Sequence, residues 1–163
     1  MRPIVVFLVL AHAAAAQATV ARRAPLSDLV QRADLVVVAT VGATESFWRD
    51  QRILTRVELG IEDVWHGRAD QRIEVVTLGG TVGDIGQIVH GAPRLSPGAR
   101  VVLFLRARAS GELRVLELSQ GVFYVERSGV RRDFHGLRLV GDAPPVPRML
   151  VELEHRVREL ADE

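Results

Sequence analysis

The side chains that could do chemistry are few, and most gather in one stretch. Residues 79–98, GGTVGDIGQIVHGAPRLSPG, hold six glycines, two prolines, one aspartate and one histidine. Asp84 and His90 could meet inside a folded loop there, and His66, just upstream in Trp65-His66-Gly67, could join them. Such a trio would suit a metal ion or an acid–base pair. Little around it supports that chemistry. His66, His90, His135 and His155 show neither i,i+4 nor H-x-H spacing, so no local metal motif exists. The nucleophile patterns G-x-S-x-G and S-x-x-K and the zinc-protease pattern H-E-x-x-H do not occur. Gly79-Gly80-x-x-Gly83-x-x-Gly86 lacks the G-x-x-x-x-G-K-[ST] form of a phosphate loop, and no clear helix follows it. A simpler reading gives Gly79, Gly80, Gly83 and Gly86 a positive φ in a rigid loop filled by Val82, Ile85, Ile88 and Val89. The loop then offers Asp84, Gln87, His90 and Pro93 to a partner. Phe47 and Trp48 form a second candidate surface: two aromatics at a polar hairpin tip, suited to protein or sugar contact unless one packs over a barrel mouth. No cofactor and no resident metal are expected.

Short β-like runs must position this loop. Leu35–Val41 is apolar at every other position and also between them, apart from Thr40, as in a strand buried on both faces, and Gly42 suits a bulge after it. Beyond a polar turn at Arg49-Asp50-Gln51, Ile53, Thr55, Val57, Leu59 and Ile61 alternate with polar residues, the strongest strand signal in the chain. Ile73–Leu78 supplies the next strand, and the Gly-rich loop follows. Pro97-Gly98 turns into Val101–Leu105, again apolar throughout. Leu113–Leu118 and Val122–Val125 complete the set, and Ser128-Gly129 opens a charged hairpin. Ser27 is placed to cap a short helix over Asp28–Ala33. At the other end, Leu150, Leu153, Val157 and Leu160 share one helix face, with Glu152–Arg156 and Glu154–Arg158 at i,i+4 spacing on the back.

The class is therefore mainly β: a small OB-like barrel of five to six strands with a short N-terminal helix and a C-terminal docking helix. The alternative fold is an immunoglobulin-like sandwich, although that would prefer seven strands and a Cys–Trp–Cys mark. The expected divisions are a signal peptide over 1–16, a flexible N-terminus over 17–25, a barrel over 26–140, a Pro-rich linker over 141–147 and a helix over 148–163.

The leading segment sets the compartment. Met1-Arg2, the apolar run Ile4–Leu10 and A-x-A sites at Ala11–Ala13 and Ala14–Ala16 make a cleavable export signal, too short to anchor in a bilayer. The mature chain would begin at Gln17 and be periplasmic or extracellular. It has no cysteine, which removes a disulfide framework, a Cys-based zinc site and a thiol nucleophile. The 48% hydrophobic content of the full sequence supplies a packed core instead. All 21 basic residues are Arg and face 20 carboxylates. With no net field, nucleic acid is not an expected partner. The expected form is a monomer with a protein partner.

With these residues in view, a resemblance enters. Ser27-Asp28-Leu29-Val30, Asp34–Val41, Thr55-x-Val57-x-Leu59 and Val64-x-x-Gly67 resemble the pattern of a family of uncharacterised exported bacterial proteins. The loop Gly79-Gly80-x-Val82-Gly83-x-Ile85-Gly86-Gln87-x-Val89-x-Gly91-Ala92-Pro93 resembles that family's most distinctive part. So do Pro97-Gly98-x-x-Val101-x-Leu103-Phe104-Leu105 and Gln120-Gly121-x-Phe123. The order of elements is also similar, more distantly, to the netrin-like barrel of tissue inhibitors of metalloproteinases. That resemblance implies an OB-like fold and protein binding, although those inhibitors act through an N-terminal cysteine that this chain lacks. The sequence thus leads to an exported, non-enzymatic binding module, and the netrin-like resemblance implies an extracellular protease as its partner. The alternative is a small metal-dependent or hydrolytic enzyme using His90, Asp84 and His66.

Overall fold

A computed structural model describes residues 19–127 and 129–163. The export signal over 1–16 lies outside the described residues. In chain order the elements are β1 (Thr19–Arg22), α1 (Leu26–Arg32), β2 (Leu35–Arg49), β3 (Arg52–His66), β4 (Arg72–Leu78), β5 (Gly80–Val82), β6 (Ile85–Gln87), β7 (Arg100–Ala107), β8 (Leu113–Val115), a 3-10 turn at Leu118–Gly121, β9 (Val122–Glu126), β10 (Gly129–Arg131), β11 (Leu137–Val140) and α2 (Leu150–Ala161).

Five strands close a ring in the order β7-β2-β3-β4-β8, with β8 returning to β7. Four of its contacts are antiparallel, and β4–β8 is parallel. Numbered within the ring, the strands run 1-2-3-5-4, and the barrel is OB-like, as the strand pattern predicts. The first half of β7 shares its β8 edge with β9, which carries β10 outward.

The doubly apolar strands have a direct explanation. Leu35, Val37, Ala39 and Val41 of β2 point into the barrel with Leu103, Leu105 and Val57. Val36 and Val38 point the other way, onto a second core with Phe104, Phe123, Leu29, Leu153 and Val157. The helices α1 and α2 thus cover the outer face of β2 and β7. Completely burying one such Leu or Val side chain contributes about 1.5–3 kcal/mol, so the two cores hold the domain without disulfides.

Several boundaries differ from the sequence expectation. Pro25, rather than Ser27, precedes the first helical residue, and no side chain caps α1. Pro25 stands at the N-cap with an extended ψ of 155°, so Leu26 is the first helical residue. Thr19–Arg22 belongs to the segment expected to be flexible, yet it forms β1, paired in parallel with Leu137–Val140. The register of β2 and β3 slips between Val41 and Thr44, the bulge expected at Gly42, and both strands then continue as a long arm to Arg49 and Arg52. The Arg49 guanidinium reaches Glu112 at 2.6 Å and ties that arm to the β7–β8 loop. The run Leu113–Leu118 keeps only Leu113–Val115 as strand, because Glu117 and Leu118 turn left-handed, with φ of 49° and 57°. On α2, Arg158 bonds Glu154 as expected, whereas Arg156 bonds Glu159 instead of Glu152.

Candidate functional site

The Gly-rich stretch divides into two halves with opposite roles. In the second half, Gly91, Ala92, Pro93 and Leu95 are buried, and Leu95 enters the barrel core. Pro93 is thus a packing residue with only an edge on the surface. The first half leaves the ring at Gly79 and folds as the β5–β6 hairpin with Gly83-Asp84 at its turn. The hairpin lies across the β2–β3 arm.

A directional chain of hydrogen bonds fastens it there. The Thr81 N–H donates to Ser46 Oγ at 3.3 Å. Thr55 Oγ1 donates its single proton to the Gly79 carbonyl at 2.7 Å, so Ser46 must donate to Thr55 at 2.9 Å. Gln87 adds a second brace: its Oε1 accepts the Ile53 backbone N–H at 2.6 Å. Gly80 sits against both hydroxyls with φ of 133°, and a Cβ there would collide with Ser46 Oγ and Thr55 Oγ1. Gly80 is therefore glycine for close approach as well as for its backbone angle.

The expected apolar filling is only partly observed. Val82 and Val89 are half-buried, but Ile85 is 57% and Ile88 is 78% exposed. The hairpin is held by backbone and hydroxyl bonds, so these isoleucines are not needed as filling. Beside it runs an open groove of about 800 Å³, lined by Gly79, Gly80, Gly86, Gln87, His90 and Pro93 among others. Gly83 and Asp84 stand at the hairpin turn, outside that groove.

The trio His66, Asp84 and His90 does not assemble. Asp84 is exposed at the hairpin turn, and His90 lies against Gly136. His66 ends β3, eleven residues beyond the Thr55 that holds the loop, and borders a separate depression with Arg158. That length of strand is roughly 36 Å. Among the described residues, no three His, Asp or Glu side chains gather to hold a metal ion.

Phe47 and Trp48 separate as well. Neighbouring residues of a strand face opposite ways. Trp48 shares the face of Ser46, where the hairpin sits, and is 47% exposed. Phe47 is half-buried on the reverse face, with the Arg49 and Arg56 guanidiniums at 5.4 and 5.0 Å from its ring centre.

The groove also borders a polar chain that single-residue reading passes over. The Tyr124 hydroxyl donates to the Arg94 carbonyl at 3.0 Å and accepts from His135 Nε2 at 2.9 Å. His135 Nδ1 lies 3.3 Å from Asp133, whose carboxylate also accepts the His135 backbone N–H at 3.0 Å. Burial holds the imidazole below its ordinary pKa, with Asp133 pulling the other way. Burial likewise raises the Tyr124 phenol. The His135 backbone N–H, chiefly, keeps Asp133 below the usual carboxylate range. His135 takes a left-handed φ of 45°, an uncommon angle for a side-chain-bearing residue. Its carbonyl accepts the Gly91 N–H at 2.9 Å, joining this chain to the loop. Two signals were legible for it: the D-x-H step Asp133-Phe134-His135 and the chain's single tyrosine.

No family model matches this chain, and no curated protein sequence matches it.

Proposed function

We propose that the protein is an exported, non-enzymatic binding module whose contact surface is the β5–β6 hairpin with Trp48 beside it. The observation that carries this reading is the exposure of Ile85 and Ile88 on a hairpin that is fully braced without them. Large apolar side chains held rigidly in water lose little entropy when a partner covers them, which favours a protein partner. The groove beside the hairpin supplies backbone and polar groups for orientation, including Gln87 and His90. An extracellular protease is the first partner class to test, because the barrel's order of elements resembles the netrin-like inhibitors. With no cysteine in the chain, any inhibition would use the hairpin as its wedge.

The test is comparative capture from culture fluid. Wild type, Ile85→Asp/Ile88→Asp, Trp48→Ala and Phe47→Ala baits are matched for folding by circular dichroism. One band should be retained by wild type and Phe47→Ala and lost with the isoleucine pair, with Trp48→Ala intermediate. Equal capture by all four baits would remove the hairpin from the contact surface. N-terminal sequencing of the exported product should begin at Gln17.

A further inference from the structure

A second cavity, of about 690 Å³, lies on the opposite side of the β9–β10 extension, under residues 141–148. Its walls include Val130, Phe134, Pro144 and Val146, and four arginines line it: Arg23, Arg131, Arg132 and Arg148. Arg132 is held firmly. Its guanidinium carbon stands 4.7 Å from the Phe123 ring centre and 5.0 Å from that of Phe134. One Nη2 proton goes to the Gln120 carbonyl at 2.6 Å. The same Gln120 clamps the neighbouring chain, accepting the Ala24 N–H at 2.8 Å and donating to the Arg22 carbonyl at 3.0 Å. Arg23 is thereby fixed at the cavity wall.

This cation lacks its counter-charge. Arg132 Nε is buried without an acceptor. Among the described residues no carboxylate bridges Arg132 or Arg23, while Arg131 already has Glu126 and Asp133. Asp142 lines the same cavity but is exposed and forms no bridge to either arginine. Burial first, and then Arg23, push the Arg132 guanidinium down to about 10. A half-buried guanidinium without a carboxylate partner has lost part of its hydration, and an anion can return what water supplied. With Nε enclosed and one Nη2 proton given to Gln120, the remaining Nη protons are the donors left for an oxyanion.

We propose that this cavity binds a small carboxylate carrying an apolar body, its oxygens on Arg132 and Arg23 and its body against Phe134, Val130 and Val146. The volume suits a molecule of that kind. The site is separate from the hairpin surface, and its test does not depend on that reading.

The experiment is calorimetric and NMR titration of the full chain at low ionic strength with benzoate, hexanoate, benzamide, hexanamide and inorganic phosphate. Both carboxylates should bind at least tenfold more tightly than their neutral amides and than phosphate. The Arg132→Gln and Arg23→Gln variants should each lose that preference. Equal binding by acids and amides overturns the anionic site, and phosphate matching benzoate overturns the apolar body. No binding by any ligand overturns the proposal entirely. If Arg132→Gln does not fold, the acid–amide comparison on wild type and the Arg23→Gln variant still decide.

Discussion

Gly80→Ala tests the bracing of the hairpin most sharply, with Gly83→Ala as its control. Both glycines have positive φ, 133° and 59°, so both alanines incur backbone strain. That cost is about 1–2 kcal/mol at Gly83, whose φ is that of a left-handed residue, and larger at Gly80, whose φ lies where essentially only glycine goes. They differ in their surroundings. Nothing lies within 4 Å of a Cβ at Gly83, whereas a Cβ at Gly80 falls onto the Ser46 and Thr55 hydroxyls. To admit it, those hydroxyls must move, and two bonds of the chain from Thr81 to Gly79 break, at about 1 kcal/mol each. Gly80→Ala should therefore cost at least about 2 kcal/mol more than Gly83→Ala. The hairpin can also lift off without the barrel melting, so the loss must be read locally. Native-state hydrogen exchange gives that reading. Amides of the 81–87 segment should lose at least roughly thirtyfold in protection in Gly80→Ala relative to Gly83→Ala, the factor that 2 kcal/mol represents. Equal protection in the two variants would refute the hydroxyl brace.

Two further outcomes follow from the packing and the buried imidazole. Leu153, fully buried between α2 and the outer face of the barrel, should cost about 3 kcal/mol as Leu153→Ala in chemical denaturation. Because His135 has a depressed pKa in the fold, the unfolded chain takes its proton first. Its contribution is present above the ordinary value of 6.5 and is lost as pH falls through the lower folded value. Urea midpoints measured from pH 7.5 to 5 should fall more steeply for wild type than for His135→Gln; identical slopes would count against the buried imidazole.

The barrel was legible where a residue's environment is local. Val36 and Val37 both being apolar foretold two covered faces, and Gly42 foretold a bulge. The arm beyond it was not, because Ala43-Thr44-Glu45-Ser46 has no apolar alternation; partner strands hold it. Strand β1 was missed for a related reason: Thr-Val-Ala-Arg is too short to signal alone, and its partner begins at Leu137. The loop was visible through its glycines, but not its division into a plug around Leu95 and an exposed hairpin, which depends on where the barrel ends. Strand parity already assigned Phe47 and Trp48 to opposite faces once the arm was known to be a strand. The Tyr124–His135 contact and the lone charge of Arg132 are tertiary facts, for which neighbouring residues carry only faint signs.

The pairing of β1 with β11 has a consequence for how the chain folds. Thr19 and Leu137 are register partners across most of the chain. As the chain emerges N-terminus first, the first strand has no place to pair until its partner has appeared, whereas the β2–β3 arm can close early on its own turn. Closing so large a loop costs entropy that is recovered only when the distant contact forms. Arg22 and Arg23 therefore reach Gln120 and the Arg132 cavity late, and that cavity should be among the last parts of the molecule to take shape during refolding.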